Sequence, residues 1–372
     1  MANNKNQGNE LVELIAVSGE FPADAVHRLG GGGKYKLNLI TKLKKSGVIK
    51  THYRDKLRGF RLTAKTKQTL LTDKPERFRF YLTGNSDTNL IQSDIARRLR
   101  LHRIANALVT MYNADVKIFR DEKPEAFNSQ NIHGIKIDEP CFYSSREFKE
   151  IDSEMAKAKN ARAVGILLTR TDIFIVYNTE NYAMKWDGNA ESAVKAIIIH
   201  YLCYSRMQKQ YSATQPIIGL LFGNNMEMLY QVMSGGEKQK RSYFLFDGTF
   251  DRFIFLTNDR YGEVLLKLLC DNKLRTEFDD YLRQELELNP ANKNSSIEND
   301  SIGENGTSVL FSYLIDMPRL ARFCLGLKAH KRRGTVVCFD FQEEILVKYC
   351  GELVDFETVD FTAFEQVFFP QD

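Results

Sequence analysis

Four consecutive glycines at residues 30–33, a lysine-studded run to Ser46, a stop at Gly47 and two short alternating segments constrain this chain more than any other feature. The glycines end whatever helix precedes them. Residues 34–46 then carry Leu37, Ile40 and Leu43 or Leu39 at helical spacing, which predicts a helix with those side chains inward and Lys34, Lys36, Lys42, Lys44 and Lys45 outward. Residues 48–53 and 59–63 alternate like two strands of a hairpin, with residues 54–58 as its tip. Upstream, Asn9 caps a predicted helix bearing Leu11, Val12, Leu14 and Ile15, and Pro22, Ala25, Val26 and Leu29 predict a short second one. The order helix, helix, helix, hairpin predicts a winged helix-turn-helix over residues 1–83.

Charge says what such a module would meet. Residues 28–67 hold thirteen Lys or Arg against one acid, Asp55, or +12, while the whole chain is only +4. The 39 basic and 47 acidic residues elsewhere leave the remainder at −8. Positive charge this local is the footprint of a protein that meets nucleic acid through one module. The third helix can enter a major groove and the hairpin tip can reach phosphates. The expected DNA contacts are therefore Lys34, Lys36, Asn38, Lys42, Lys44, Lys45, Arg54, Lys56, Arg58 and Arg61. Asn38 is included because an amide can pair two-fold with adenine. The run Gly-Gly-Gly-Gly-Lys is not a nucleotide-phosphate loop: Arg28 stands where the first glycine is needed, and Tyr35 replaces the Ser or Thr after Lys34. With no dinucleotide fingerprint elsewhere, no cofactor is expected.

Residues 84–135 read as a connecting helix and linker. The helix, over residues 87–113, has Ile91, Ile95, Leu99, Ile104, Leu108 and Met111 as its apolar stripe. It also carries Arg97, Arg98, Arg100, His102 and Arg103. That basic face either extends a DNA footprint or mediates dimerisation, or packs against acids of the next domain.

Residues 136–372 predict an α/β domain with a largely parallel sheet. A three-strand meander (161–169, 173–177, 183–186) leads to a helix over 190–206. Strands at 217–222, 252–256, 309–315 and 336–341 then alternate with helices at 226–233, 261–270, 318–327 and 343–350. The polar stretch 286–307 reads as a flexible insertion. Apolar runs such as 163–168 and 196–199 are far too short to span a bilayer, and residues 1–8 lack the apolar core of a secretory signal. Six scattered cysteines without a CxxC pair add to the expectation of a cytoplasmic protein with no metal site and no membrane contact.

A basic winged helix, a helix with the Arg-Leu-His-Arg run at 100–103, and an α/β domain containing Gly165-Ile166-Leu167-Leu168 and Val176-Tyr177-Asn178 together resemble the replication-relaxation group of plasmid and conjugative-element proteins. The resemblance covers most of the chain. It implies a role in replication or transfer of mobile DNA; with the basic module, the expected function is sequence-specific double-stranded DNA binding in replication, transfer or transcriptional control of a mobile element. The expected partners are duplex DNA and replication or relaxosome proteins, and a homodimer follows if the basic face of the connecting helix mediates dimerisation.

Two further functions stay open. In a metal-dependent nuclease, acids at strand ends would hold Mg²⁺ and activate water. The candidates are Glu191, Asp259, Asp316 and Asp340, with Asp172, Glu191 and Lys195 as a second set. Helix capping and the helix dipole account for Asp259, Asp316 and Glu191 equally well. In a ligand-sensing transcriptional regulator, the α/β domain would bind a small molecule. A nucleophilic tyrosine such as Tyr211, expected to be exposed, has less behind it, because the histidines are isolated and form no HxH or HxxxH pair.

Overall fold

The computed structural model describes residues 7–127, 135–148, 161–235, 246–291 and 295–370. Residues 1–6, His133 with the rest of 128–134, and residues 292–294 of the expected insertion lie outside them. The chain divides into two units, Met1–Ile151 and Asp152–Asp372. The break falls later than the expected borders at 83 and 135, because the connecting helix packs inside the first unit.

In the first unit, α1 (Gln7–Ser18) buries Leu11, Leu14 and Ile15. There follow β1 (Phe21–Pro22), a 3₁₀ turn (Asp24–Arg28), α2 (Gly33–Lys45), β2 (Ile49–Arg54) and β3 (Leu57–Leu62). The strands form an antiparallel sheet in the order β1-β3-β2. The expected second helix is thus a strand and a 3₁₀ turn. Pro22 has no N–H to give a ladder, and the strand it occupies lies at the sheet's edge. Gly47 has φ +70°, the left-handed geometry that lets the chain turn sharply from α2 into β2. The Thr63 hydroxyl holds this turn through the Gly47 carbonyl at 2.7 Å.

Helices α3 (Ala64–Asp73) and α4 (Pro75–Leu82) lead to α5 (Ile95–Asn113), which packs on α1 and β1. α5 begins at Ile95, not near 87, because the Asp94 side chain caps it through the Arg97 amide at 3.1 Å. Ile91 therefore precedes the helix. Arg77 of α4 pairs with Glu13 of α1 and with Asp121 at 2.8 Å each, tying α4 to its neighbours. Strand β4 (Cys141–Ser144) and α6 (Ser145–Phe148) complete the described part of this unit.

The second unit is mixed α/β, built on two mixed sheets rather than one largely parallel sheet. In the first, β5 (Gly165–Leu168), β6 (Ile173–Glu180), β7 (Ile217–Gly223), β8 (Phe253–Thr257) and a short strand at Ile315–Asp316 run in the order Ile315–Asp316, β8, β7, β6, β5. β6, β7 and β8 are mutually parallel, and their neighbours on either side are antiparallel. Every residue of β7 and β8 is buried, as expected of strands covered on both faces. The helices between them are α7 (Gly188–Ile198), which continues as a π-helix (Ile199–Arg206), α8 (Met226–Ser234), α9 (Arg260–Cys270) and α10 (Asn272–Glu285). The expected third meander strand is absent: residues 183–186 are irregular and place Trp186 against Tyr177, with ring centroids 5.3 Å apart.

The second sheet takes β9 (Asn289–Pro290), β10 (Ser301–Ile302) and β11 (Ser308–Phe311), after which Ile315–Asp316, numbered β12, crosses to the first sheet. The single strand expected over 309–315 is therefore two strands in different sheets. It breaks where the Ser312 amide bonds the Val337 carbonyl at 2.8 Å. After α11 (Met317–His330), β13 (Gly334–Phe339), α12 (Asp340–Cys350), β14 (Val354–Val359) and α13 (Phe361–Phe368) complete the order β14-β13-β11-β10-β9. β11, β13 and β14 are parallel, while β9 and β10 join antiparallel. The insertion thus contributes two of these strands, β9 and β10. No helix of the described residues is long and apolar enough to cross a membrane.

Candidate nucleic-acid interface

α2 buries none of its thirteen residues fully. Leu39, Ile40 and Leu43 are half-buried and form the inward face, while Lys34, Asn38, Thr41, Lys42, Lys44 and Lys45 are exposed. Helical periodicity aligns Lys34, Asn38, Thr41 and Lys45 as the outermost stripe. Two expectations change. Leu37, expected inward, points outward and is 68% exposed, while Leu39 and Leu43, expected as alternatives, are both half-buried. Lys36 is half-buried, and its ammonium donates to the His27 carbonyl at 2.7 Å, fastening α2 to the 3₁₀ turn.

The hairpin tip is a two-residue turn. Arg54 pairs with Leu57, and Asp55 and Lys56 both take positive φ, 53° and 60°. That is the type I′ geometry favoured by Asn-Gly, adopted here by two residues with side chains, at a cost of roughly 1–2 kcal/mol each. Arg54, Lys56 and Arg58 are exposed, with the Arg58 guanidinium 5.7 Å from the Tyr53 ring centre.

What holds this turn lies underneath it. Arg98 of α5 is fully buried, and its guanidinium donates to the carbonyls of Arg54 at 2.9 Å and Leu57 at 3.0 Å, one on each side of the turn. The same group donates to Glu20 Oε1 through Nη2 at 2.7 Å and through Nε at 3.0 Å. Glu20 is itself fully buried between α1 and β1, and it also accepts from Arg61 Nε at 2.6 Å and bonds His102 Nε2 at 2.8 Å. A Cβ at Gly59 would collide with the Glu20 carboxylate, so glycine is needed there for the carboxylate to lie against β3. Burial alone would raise the Glu20 carboxyl. Hydrogen bonds from His102, Arg98 and Arg61, with the Arg61 charge, outweigh it and hold the group at about 2.

Arg61 is accordingly no surface contact, being only 8% exposed and spent on Glu20. The basic face of α5 divides the same way. Arg98 and His102 are buried in this cluster, while Arg97 and Arg100 are exposed and Arg100 donates to Ser145 Oγ at 3.2 Å. Of the residues proposed from sequence, eight basic ones and Asn38 lie on the exposed or half-exposed surface of α2 and the hairpin, and only Arg61 falls inside. Glu20 and Arg98 were not foreseen as its support. The available signal was an acid placed directly before buried Phe21, with a glycine in the strand opposite.

The candidate acids of the second unit are not brought together. Glu191 is buried and accepts from the Tyr177 hydroxyl at 2.9 Å and the Arg162 amide at 2.6 Å. Asp259 caps α9 through the Gly262 amide at 3.1 Å. Asp316 accepts from Arg252 at 3.0 Å and the Phe253 amide at 3.2 Å. Asp340 accepts from the Phe341 amide at 2.9 Å. In the second set, Asp172 pairs with Arg275 at 3.2 Å and Lys195 donates to the Thr249 carbonyl at 2.7 Å. Among the described residues no group of three or more His, Cys, Asp or Glu side chains could hold a metal ion. Tyr211, expected to be exposed, is fully buried and its hydroxyl donates to the Thr169 carbonyl. Comparison of the chain with family models, curated proteins and solved structures finds no match.

Proposed function

We propose that this chain is a sequence-specific double-stranded DNA-binding protein whose first unit is a winged helix, with α2 as the recognition helix and the β2–β3 hairpin as the wing. The second helix of the motif is reduced to the 3₁₀ turn. The observation that carries the reading is the pairing of two exposed basic surfaces, α2 and a tight hairpin tip, in one small unit, the tip fixed from within by a buried Arg98–Glu20 pair. A solubilising surface has no need of a turn anchored in this way; a phosphate contact does, because a pre-positioned charge loses less entropy on binding. α2 would supply base contacts and Arg54, Lys56 and Arg58 phosphate contacts.

The resemblance to the replication-relaxation group supplies the setting: replication, transfer or transcriptional control of a mobile element. The second unit would then serve assembly or contact with replication or relaxosome proteins. Titration of the full-length chain against labelled duplexes of random and mobile-element sequence tests the reading. The expected result is binding to both that weakens linearly in log affinity against log salt, with the tighter affinity for a subset of sequences. Absence of duplex binding at low salt would refute it.

A further inference from the structure

α2 presents an exposed aliphatic side chain amid its lysines. Leu37 is 68% exposed, beside Asn38 and among Lys34, Lys42, Lys44 and Lys45, on a helix without a single acid. The half-buried residues of α2 are Lys36, Leu39, Ile40 and Leu43, so neither core packing nor the helix's seat on the unit accounts for Leu37. A ligand that fits this face would be apolar against Leu37 and strongly anionic around it. A second copy of this surface fails the second condition, since it would set lysines against lysines. The major groove of duplex DNA meets both, because the thymine C5-methyl is the one apolar group on a base edge there and phosphates line both sides.

We infer that Leu37 is a specificity residue that packs on a thymine methyl, with Asn38 beside it placed for the adenine edge, so that the preferred sites contain A·T pairs under the middle of α2. The inference rests on the DNA-binding reading. It adds that one hydrophobic contact, and not lysine charge, distinguishes these sites from random sequence.

The test begins with duplexes enriched by the full-length protein from a random library. Each thymine of an enriched duplex is then replaced singly by uracil, which removes the methyl and leaves the hydrogen-bonding pattern intact. At one or two positions uracil is expected to weaken the wild type roughly fourfold, the worth of one buried methyl-sized group. Leu37→Ala should bind the thymine and uracil duplexes equally, at the affinity the wild type has for the uracil duplex. Because the side chain is exposed, this variant leaves packing unchanged, and Ala favours the helix. Uracil tolerated at every position, or a thymine preference that survives Leu37→Ala, overturns the inference while leaving DNA binding intact. Concentration-dependent self-association that Leu37→Ala abolishes would likewise overturn it, assigning the residue to a contact between copies. Failure to bind any duplex would remove the underlying reading as well.

Discussion

The buried Glu20–Arg98 pair makes a prediction that is quantitative and independent of any ligand. In the folded chain the Glu20 carboxyl lies at about 2, against 4.5 for the ordinary group. A folded value below the unfolded one means that the unfolded chain binds more protons between those limits. The stabilisation is therefore fully present above pH 4.5 and lost as pH falls toward 2. At 1.36 kcal/mol per unit the shift corresponds to about 3 kcal/mol at neutral pH. Glu20→Gln also leaves Arg98 and Arg61 buried without a countercharge, so its total cost should reach roughly 3–5 kcal/mol. Arg98→Lys keeps the charge but loses the fork that spans Glu20 and the Arg54 and Leu57 carbonyls, and should cost about 2–3 kcal/mol. The only tryptophan, Trp186, lies in the second unit, so fluorescence would miss these changes. Amide hydrogen exchange on the full-length protein reads them directly. Both variants should speed exchange across β2, β3 and the tip more than anywhere in the second unit, and the gap between wild type and Glu20→Gln should close as pH falls from about 5 to about 2. Exchange in the hairpin within about 0.5 kcal/mol of wild type at pH 7, or a gap that does not narrow in acid, would refute the reasoning.

Two further predictions concern charge elsewhere. Replacing Arg54, Lys56 and Arg58 together by Ala should weaken all duplexes alike and flatten the slope of log affinity against log salt by about one unit for each phosphate no longer neutralised, as read by anisotropy at several salt concentrations. In the second unit, burial raises the Glu191 carboxyl to about 7, partly offset by hydrogen bonds from the Arg162 amide and Tyr177. The folded value exceeds the unfolded one, so this contribution is complete below pH 4.5 and is lost as pH rises through 7. Glu191→Gln should therefore gain up to about 3 kcal/mol on the wild type between pH 4.5 and 8. Denaturant titration followed by Trp186, which packs on Tyr177, is the check.

The lysines of α2 and the residues of the hairpin were legible in the sequence because their pattern is local: glycines mark the ends and periodicity marks the faces. Arg61 was not. Strand alternation puts it opposite Phe60 and Leu62, which on a two-layer surface means solvent, but α5 and Glu20 cover that side and make both faces interior. Leu37 failed for a related reason: three leucines lie near the inward stripe, and the seat of α2 on the 3₁₀ turn and β2 takes Leu39 and Leu43 and leaves Leu37 outside. In the second unit, the parallel strands β6, β7 and β8 announced themselves as apolar runs. The switch of sheets between Phe311 and Ile315 did not, since only Ser312 interrupts an apolar and aromatic segment while its partners change from Val337 to Phe255. Helix α10, with only Phe278 and Leu282 buried, offers too narrow a stripe to stand out from its charged residues.

Where duplex DNA sits on the molecule tests the central proposal most directly. Lysine-selective labelling of the full-length chain, read by mass spectrometry with and without a bound duplex, reports this residue by residue. The account predicts protection of Lys34, Lys42, Lys44, Lys45 and Lys56 on the first unit, with exposed lysines of the second unit such as Lys328 and Lys331 labelled as before. Protection confined to the second unit, with α2 and the hairpin labelled unchanged, would contradict it.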